Sequence, residues 1–220
     1  MFKIGPLLFP DGETHFNRFG DAILDYGKAD RDIAYGYVKR WRRALDVGAN
    51  VGIFSVDFAS RFEEVVAFEP VPPTLDCLKL NAPSNVRIEP FAIAEAPGKL
   101  KMFPVTMNSG GSFITNHPQV LYPEFTPPPE ELIDVPVRTI DSYDFDWVDL
   151  IKLDIQGAEY LALLGAKETI LRHKPVIMVE QKPVSPEAAD MLKTTFRMLR
   201  SWGMVAKEKA QSDRVFVFDE

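Results

Sequence analysis

LDVGANVG, Leu45 to Gly52, followed by VVAFEP, Val65 to Pro70, decides how this chain is read. A short apolar run ends in a carboxylate, Asp46. A turn bearing Gly48 follows, then a helix-like run, then a second apolar run ending in Glu69. The pattern predicts a β-turn-α-β unit with one acid at the tip of each strand. In open α/β sheets ligands bind at the carboxyl ends of strands, where a second-strand acid can accept hydrogen bonds from ribose hydroxyls. A dinucleotide site needs G-x-G-x-x-G, because its pyrophosphate rests on bare amides at a helix N-terminus. Neither register of this turn supplies that pattern: one puts Asn50, the other Asp46, where glycine is required. A carboxylate repels a pyrophosphate and attracts an ammonium or sulfonium. Gly48 allows close approach to a ligand, and Gly52 allows tight packing of helix on strand. The turn favours a cationic nucleoside, S-adenosylmethionine being the obvious one, over NAD and a dehydrogenase.

Composition fits a compact enzyme. The chain has 220 residues and 46% hydrophobic content, enough for one substantial core and a single domain. A net charge of −7 and a pI near 5.1 argue against a general nucleic-acid binder, whose affinity comes from phosphate neutralisation. The one cysteine, Cys77, excludes an intramolecular disulfide and reads as a buried small hydrophobe. No apolar run is long enough to span a bilayer, and MFKIGPLLFPDGE lacks a signal-peptide layout, so a cytoplasmic location is the default expectation.

Strand and helix then alternate, which predicts a mostly parallel sheet. Strands are expected at Ala44–Val47, Val65–Glu69, Val86–Pro90, Val148–Asp154, Val176–Glu180, Met204–Lys207 and Val215–Phe218. Helices fit Asp30–Trp41, Val51–Arg61, Pro72–Leu80, Ala158–Arg172 and Pro186–Trp202. The link between the last two strands is too short for a parallel crossover, so they form an antiparallel hairpin. The result is an α/β fold with a seven-stranded sheet and helices on both faces. KRWRR, Lys39 to Arg43, is the one dense basic cluster; a solvated helix end is favoured over a dock for an acidic substrate. His15 and Arg18 could cover a ligand.

One segment breaks the alternation. Between Gly98 and Arg138 the reading is a short strand, Leu100–Val105, then NSGGS, then a long structureless stretch. Pro118, Pro123, Pro127, Pro128, Pro129 and Pro136 cannot sit in a helix interior or central strand. Such an insertion is expected to be a lid or substrate-binding loop, with Asn108, Ser109, Ser112 and His117 as candidate contacts. The single domain, 1–220, thus divides into an N-terminal cap (1–43), a cofactor-binding half (44–97), the insertion (98–138) and a second half (139–220).

VDLIKLDIQGAEY, Val148 to Tyr160, is the other informative stretch. A central parallel strand is normally apolar on both faces, so polar residues gathering at its carboxyl end need a reason. Lys152, Asp154 and Gln156 share one side, and a buried ammonium at Lys152 needs an acid partner. Asp154 reaches the crevice rim, as does Glu180 at the end of VIMVE.

Together, LDVGANVGIFS, VVAFEPVPPTLDCLKLN, VRTIDSY and IKLDIQGAEYLALLGAKETI resemble the FkbM family of S-adenosylmethionine-dependent methyltransferases, over about Ala44 to Glu180. The resemblance implies a class I, Rossmann-like methyltransferase fold and methyl transfer to a hydroxyl of a sugar, polyketide or similar small metabolite. It implies that Asp46, Gly48 and Asn50, with Gly52 and Pro70 nearby, serve the cofactor. Glu69 would hold the ribose hydroxyls and Phe91 to Ile93, including Ala92, would flank adenine. Asp154 and Gln156 would border the reacting centre, although many relatives carry an acid at the position of Gln156.

Methyl transfer to an alcohol needs in-line alignment, which can supply about 7–11 kcal/mol, and a base for the leaving proton. Asp154 and Glu180 are the leading candidates and His117 an outside one. A metal-assisted variant, with Asp154 and Glu180 as oxygen ligands to Mg²⁺, lacks a clear third ligand and is not favoured. A base methyltransferase acting on nucleic acid would carry an N-P-P-Y-like motif where Gln156-Gly157-Ala158-Glu159 stands. A non-catalytic module that binds S-adenosylmethionine is the more serious rival. The expected partner is a small acceptor, a carbohydrate among the options, with no nucleic acid and no membrane span; a homo-oligomer stays open.

Overall fold

The computed structural model describes residues 1–115, 127–183, 186–208 and 211–219. In chain order the strands are β1 (Phe2–Ile4), β2 (Leu7–Phe9), β3 (Arg43–Val47), β4 (Glu64–Phe68), β5 (Val86–Glu89), β6 (Ala92–Ile93), β7 (Gly98–Phe103), β8 (Phe113–Ile114), β9 (Ile133–Arg138), β10 (Leu150–Leu153), β11 (Val176–Glu180), β12 (Met204–Ala206) and β13 (Asp213–Phe218). The α-helices are α1 (Lys28–Tyr35), α2 (Ile53–Ala59), α3 (Pro72–Asn81), α4 (Glu159–Leu164), α5 (Lys167–His173) and α6 (Pro186–Ser201).

Seven strands form the central sheet in the order β12-β13-β11-β10-β3-β4-β5. All run parallel except β13, which is antiparallel to both β11 and β12. The expected hairpin is therefore present, with its second strand inserted between the first and the rest of the sheet. Because β3, β4, β10 and β11 are parallel, Val47, Glu69, Asp154 and Glu180 all come to one edge. One face of the sheet packs Leu45, Phe68, Ile151 and Val179 against Ala162, Ile170 and Leu199. The other packs Ala44, Val65, Leu150 and Met178 against Ala34, Phe54 and Phe58. Cys77 is fully buried, as a small hydrophobe should be.

The N-terminal segment belongs to that second core through Ile4, Leu7, Phe9, Phe16 and Ile23. FKIGPLLF folds into the hairpin β1–β2. Asn81 on α3 ties the hairpin down, accepting from the Leu8 N–H and donating to the Leu8 carbonyl. The expected helix Asp30–Trp41 is shorter, ending at Tyr35 before Gly36. KRWRR is accordingly not a helix end. Arg42 makes a bidentate pair with Asp149, and Arg43 opens β3 paired to Glu64.

The insertion is not structureless, which corrects the sequence expectation. Its described residues join β6 in a second, four-stranded sheet, β6-β9-β7-β8. Pro136 lies within β9 opposite Lys99, contrary to its exclusion from strands. β6 reaches only Val137 and Arg138, so beside Pro136 the flank away from β7 is open and needs no donor. His117, Pro118 and Pro123 lie outside the described residues. Among the described residues no helix is long and apolar enough to cross a membrane.

The single helix expected over 158–172 divides at Gly165 into α4 and α5. There the chain passes so close to β6 that an added Cβ would lie 2.1 Å from the Ala94 carbonyl oxygen. Overpacking against backbone costs about 1–3 kcal/mol. Gly165→Ala is expected to lower urea-unfolding stability by about that much, whereas Gly98→Ala, with nothing within 4 Å of its Cβ, stays within about 0.5 kcal/mol.

Candidate active site

The turn between β3 and α2 is built on β4. The N–H groups of Gly48 and Ala49 both donate to the Phe68 carbonyl, at 3.1 and 2.9 Å. Gly48 has φ +78°, and a Cβ there would lie 2.0 Å from the Asp154 carbonyl oxygen, so the loop after β10 also requires this glycine. Glu69 accepts one backbone hydrogen bond on each carboxylate oxygen, from Asn50 at 2.9 Å and Val71 at 2.8 Å. Burial pushes its carboxyl up to about 7, and those two N–H groups pull the other way.

Asp46 is placed differently from expectation. It is fully buried, sits one residue before the end of β3, and is in register with Lys152 on β10. Lys152 Nζ lies 3.0 Å from one Asp46 oxygen, while Ser55 donates to the other at 2.6 Å. The same Nζ donates to the Gly48 carbonyl at 2.7 Å. Asp46 is thus neutralised beneath the turn and does not line the cleft; it holds the turn in place. Gly52 likewise lies under the surface, where a Cβ would meet Leu78 at 2.8 Å.

Two adjoining chambers open along the strand tips. One runs past Gly48, Asn50, Glu69 and Pro70 to an apolar slot between Phe91–Ile93 and Leu100, Met102 and Ile114 of the second sheet. The other is lined by His15, Phe16, Tyr26, Phe54, Asn108 and Lys182. Gly48, Asn50, Gly110, Asp154 and Gln156 border both. Asn50 Oδ1 and Ser109 Oγ are buried without a hydrogen-bond partner among the described residues. Orphaned polar atoms beside Glu69 and an apolar slot fit a nucleoside with an amino-acid tail, so S-adenosylmethionine suits the first chamber.

The insertion supplies the dividing wall, and sequence reasoning missed what fastens it. Glu13, 2% exposed, accepts from the Ser109 N–H at 2.6 Å and the Phe16 N–H at 3.2 Å. The Thr14 and His15 N–H groups both donate to the Met107 carbonyl. Ser109 and Ser112 face the first chamber and Asn108 the second. An acid in a polar N-terminal segment gives no signal of this partnership. Tyr26, in the N-terminal segment, and Lys182, two residues past β11, also line the second chamber without having been singled out from the sequence.

At the junction, Gln156 Nε2 lies 3.0 Å from Asp154 Oδ1 and 3.0 Å from Glu180 Oε2. Burial first, then the Asp154 and Glu159 charges, pushes the Glu180 carboxyl far above its ordinary range. Asp213 is raised to about 7, by burial and then by Asp154 and Asp30. Among the described residues no three ligating side chains gather to hold a metal. The donor set speaks against Mg²⁺ between Asp154 and Glu180 more directly, because an amide N–H points at both carboxyls there.

A model of the methyltransferase FkbM domain matches residues 46–205. A solved FkbM methyltransferase from Methylobacillus flagellatus superposes with a TM-score of 0.53 at 16% identity, over 94% of this chain and 55% of that one. The chain therefore spans little more than half that relative's length, and the likeness shows the class I methyltransferase fold. An rRNA methylase from Streptococcus thermophilus is 12% identical with a TM-score of 0.48, over 86% of this chain and 93% of that one, too distant to weigh. No curated protein matches the sequence.

Two outcomes follow. Lys152→Met leaves Asp46 buried and unpaired and is expected to cost about 3–5 kcal/mol in chemical unfolding, with partial recovery in the double variant carrying Asp46→Asn. Carboxyls raised in the fold keep protons that the unfolded chain releases, so stability falls as pH rises. The window runs from the ordinary values of 4.5 and 3.8 to about 7 for Glu69 and Asp213, and beyond it for Glu180. Unfolding free energy should therefore decline between about pH 5 and about pH 8, with a shallower slope in Glu180→Gln.

Proposed function

The chain belongs to the FkbM methyltransferase family, and on that premise we propose that it transfers a methyl group from S-adenosylmethionine to a hydroxyl of a small metabolite, a sugar or comparable alcohol. The carrying observation is that the two chambers meet at Asp154. Bound in the first chamber, S-adenosylmethionine supplies a methyl carbon on a sulfonium whose sulfur leaves as a neutral thioether. Glu69 offers its remaining lone pairs to ribose hydroxyls, and Phe91–Ile93 with Leu100 and Met102 offer an apolar slot to adenine. Asn50 Oδ1 and Ser109 Oγ provide free polar atoms along the way.

The second chamber supports the choice of acceptor. Phe16, Tyr26 and Phe54 give it aromatic walls, while Asn108, His15 and Lys182 give it hydrogen-bonding groups. That mixture suits a polyhydroxy compound with apolar ring faces. Asp154 stands where the acceptor oxygen must approach, within reach to take its proton as the new bond forms. Glu180, held protonated by its surroundings, stands behind it. The dividing turn Asn108–Gly111 and the N-terminal segment border the junction.

The test is calorimetry and turnover on one preparation. S-adenosylhomocysteine should bind, and a panel of sugar alcohols should yield a methylated product by mass spectrometry. Asp154→Ala is expected to lose at least about 10²-fold in kcat, the usual worth of a positioned base, with cofactor affinity within a few-fold. Equal losses in both would make Asp154 a cofactor-site residue, and binding without any product would make the chain a binding module.

A further inference from the structure

Gln156 occupies a backbone conformation that a side chain seldom adopts, with φ +52°. It is held there from both sides. Glu159, buried at the start of α4, accepts from the Ile155 N–H at 2.9 Å and the Gly157 N–H at 3.2 Å through a single carboxylate oxygen. The flanking peptides are therefore pinned, and the residue between them is forced outward. The side chain so displayed is half-buried at the cleft. Its one amide nitrogen reaches two carboxyls, on the tips of two different strands.

From that geometry we propose that Gln156 is a positioning residue whose amide organises Asp154 and Glu180 into a pair holding one proton, with Asp154 turned to the acceptor. The inference rests on the methyltransferase reading for its purpose, though not for its chemistry. A primary amide has two N–H donors on that nitrogen, enough to satisfy one oxygen of each carboxyl. Two facing carboxylates repel when both are ionised and share a proton otherwise. Donation to both favours the singly ionised pair over the doubly protonated one. Asp154 then keeps a lone pair for the acceptor's proton. As the O–CH₃ bond forms, the C–S electrons stay on sulfur and the hydroxyl proton moves to Asp154, which later returns it to solvent.

The charged surroundings are mixed. Lys182 lies 3.5 Å from Glu180, and Lys152, Asp213 and Glu159 face the pair from β10, β13 and α4. Tyr26 faces it from the N-terminal segment, with Asp30 beside Asp213 and His15 beside Lys182. None of these donates to both carboxyls. Gln156 does, which is why the effect is assigned to it.

The decisive measurement is a side-chain ¹³C carboxyl NMR titration of the full chain, without cofactor or acceptor. Besides the raised carboxyls of Glu69 and Asp213, the wild type should show one titrating farther above the ordinary range and absent in E180Q. In Q156M the lower step of the pair should move up by about one to two pH units, as expected for removing hydrogen bonds to a charged group. In the isosteric Q156E a third carboxyl should instead add one proton to the cluster near neutral pH. A wild type in which no carboxyl that disappears in E180Q titrates above the ordinary range overturns the proposal, whatever the variants do. So does a lower step that stays put in a folded Q156M. In kinetics, the acid limb of the kcat profile should follow the NMR step. A limb that stays while the NMR step moves would overturn Asp154 as the base and leave the amide bridge standing.

Discussion

The contact between Lys152 and Asp46 sets the shape of the whole ligand-binding edge. Burying two charges is costly, and their attraction offsets that cost only when the remaining donors and acceptors are satisfied. Here they are shared out: Ser55 serves the second Asp46 oxygen, and Lys152 also donates to the Gly48 carbonyl. One ammonium thereby welds the tips of β3 and β10 to the turn that follows β3. The turn is closed from the other side by the Phe68 carbonyl and the Glu69 carboxylate. Three neighbouring strands are thus locked at the level where a ligand must sit. The acid beneath the turn is structural, and the acid beside it faces the cleft.

The second organising contact joins parts of the chain that sequence keeps far apart. Glu13 binds the backbone of both the N-terminal segment and the insertion, and it is buried in doing so. A carboxylate with backbone N–H groups on both oxygens cannot be moved without stranding them. The wall between the two chambers is therefore fixed by a residue that need not touch either ligand.

The central sheet was legible because its strands are short, continuous apolar runs punctuated by turns, and because the last connection was too short to cross over. The second sheet was not. β6 and β8 are two residues each, and Pro136 made β9 look unlike a strand. Gly165 hid a helix break whose cause is the Ala94 carbonyl, invisible without the fold. At the site, Glu69, Asp154 and Glu180 could be placed because a strand tip announces its position. The fate of Asp46 could not, since a tip residue and its in-register partner look alike until Lys152 is opposite. The need of Lys152 for an acid was readable; which acid was not.

The family match begins at residue 46, yet much of what steadies the fold lies before it. Arg31 is almost wholly enclosed, donating to the Leu24 and Tyr26 carbonyls and pairing with Asp57 on α2. Asp30 accepts from the Gln211 and Ser212 N–H groups just ahead of β13. A chimera that exchanged the first forty residues for another protein's would thus sever anchors at both ends of the chain. The N-terminal segment of this scaffold cannot be transplanted as a cassette; it can change only residue by residue around those anchors, or together with Asp57, Asn81 and Ser212.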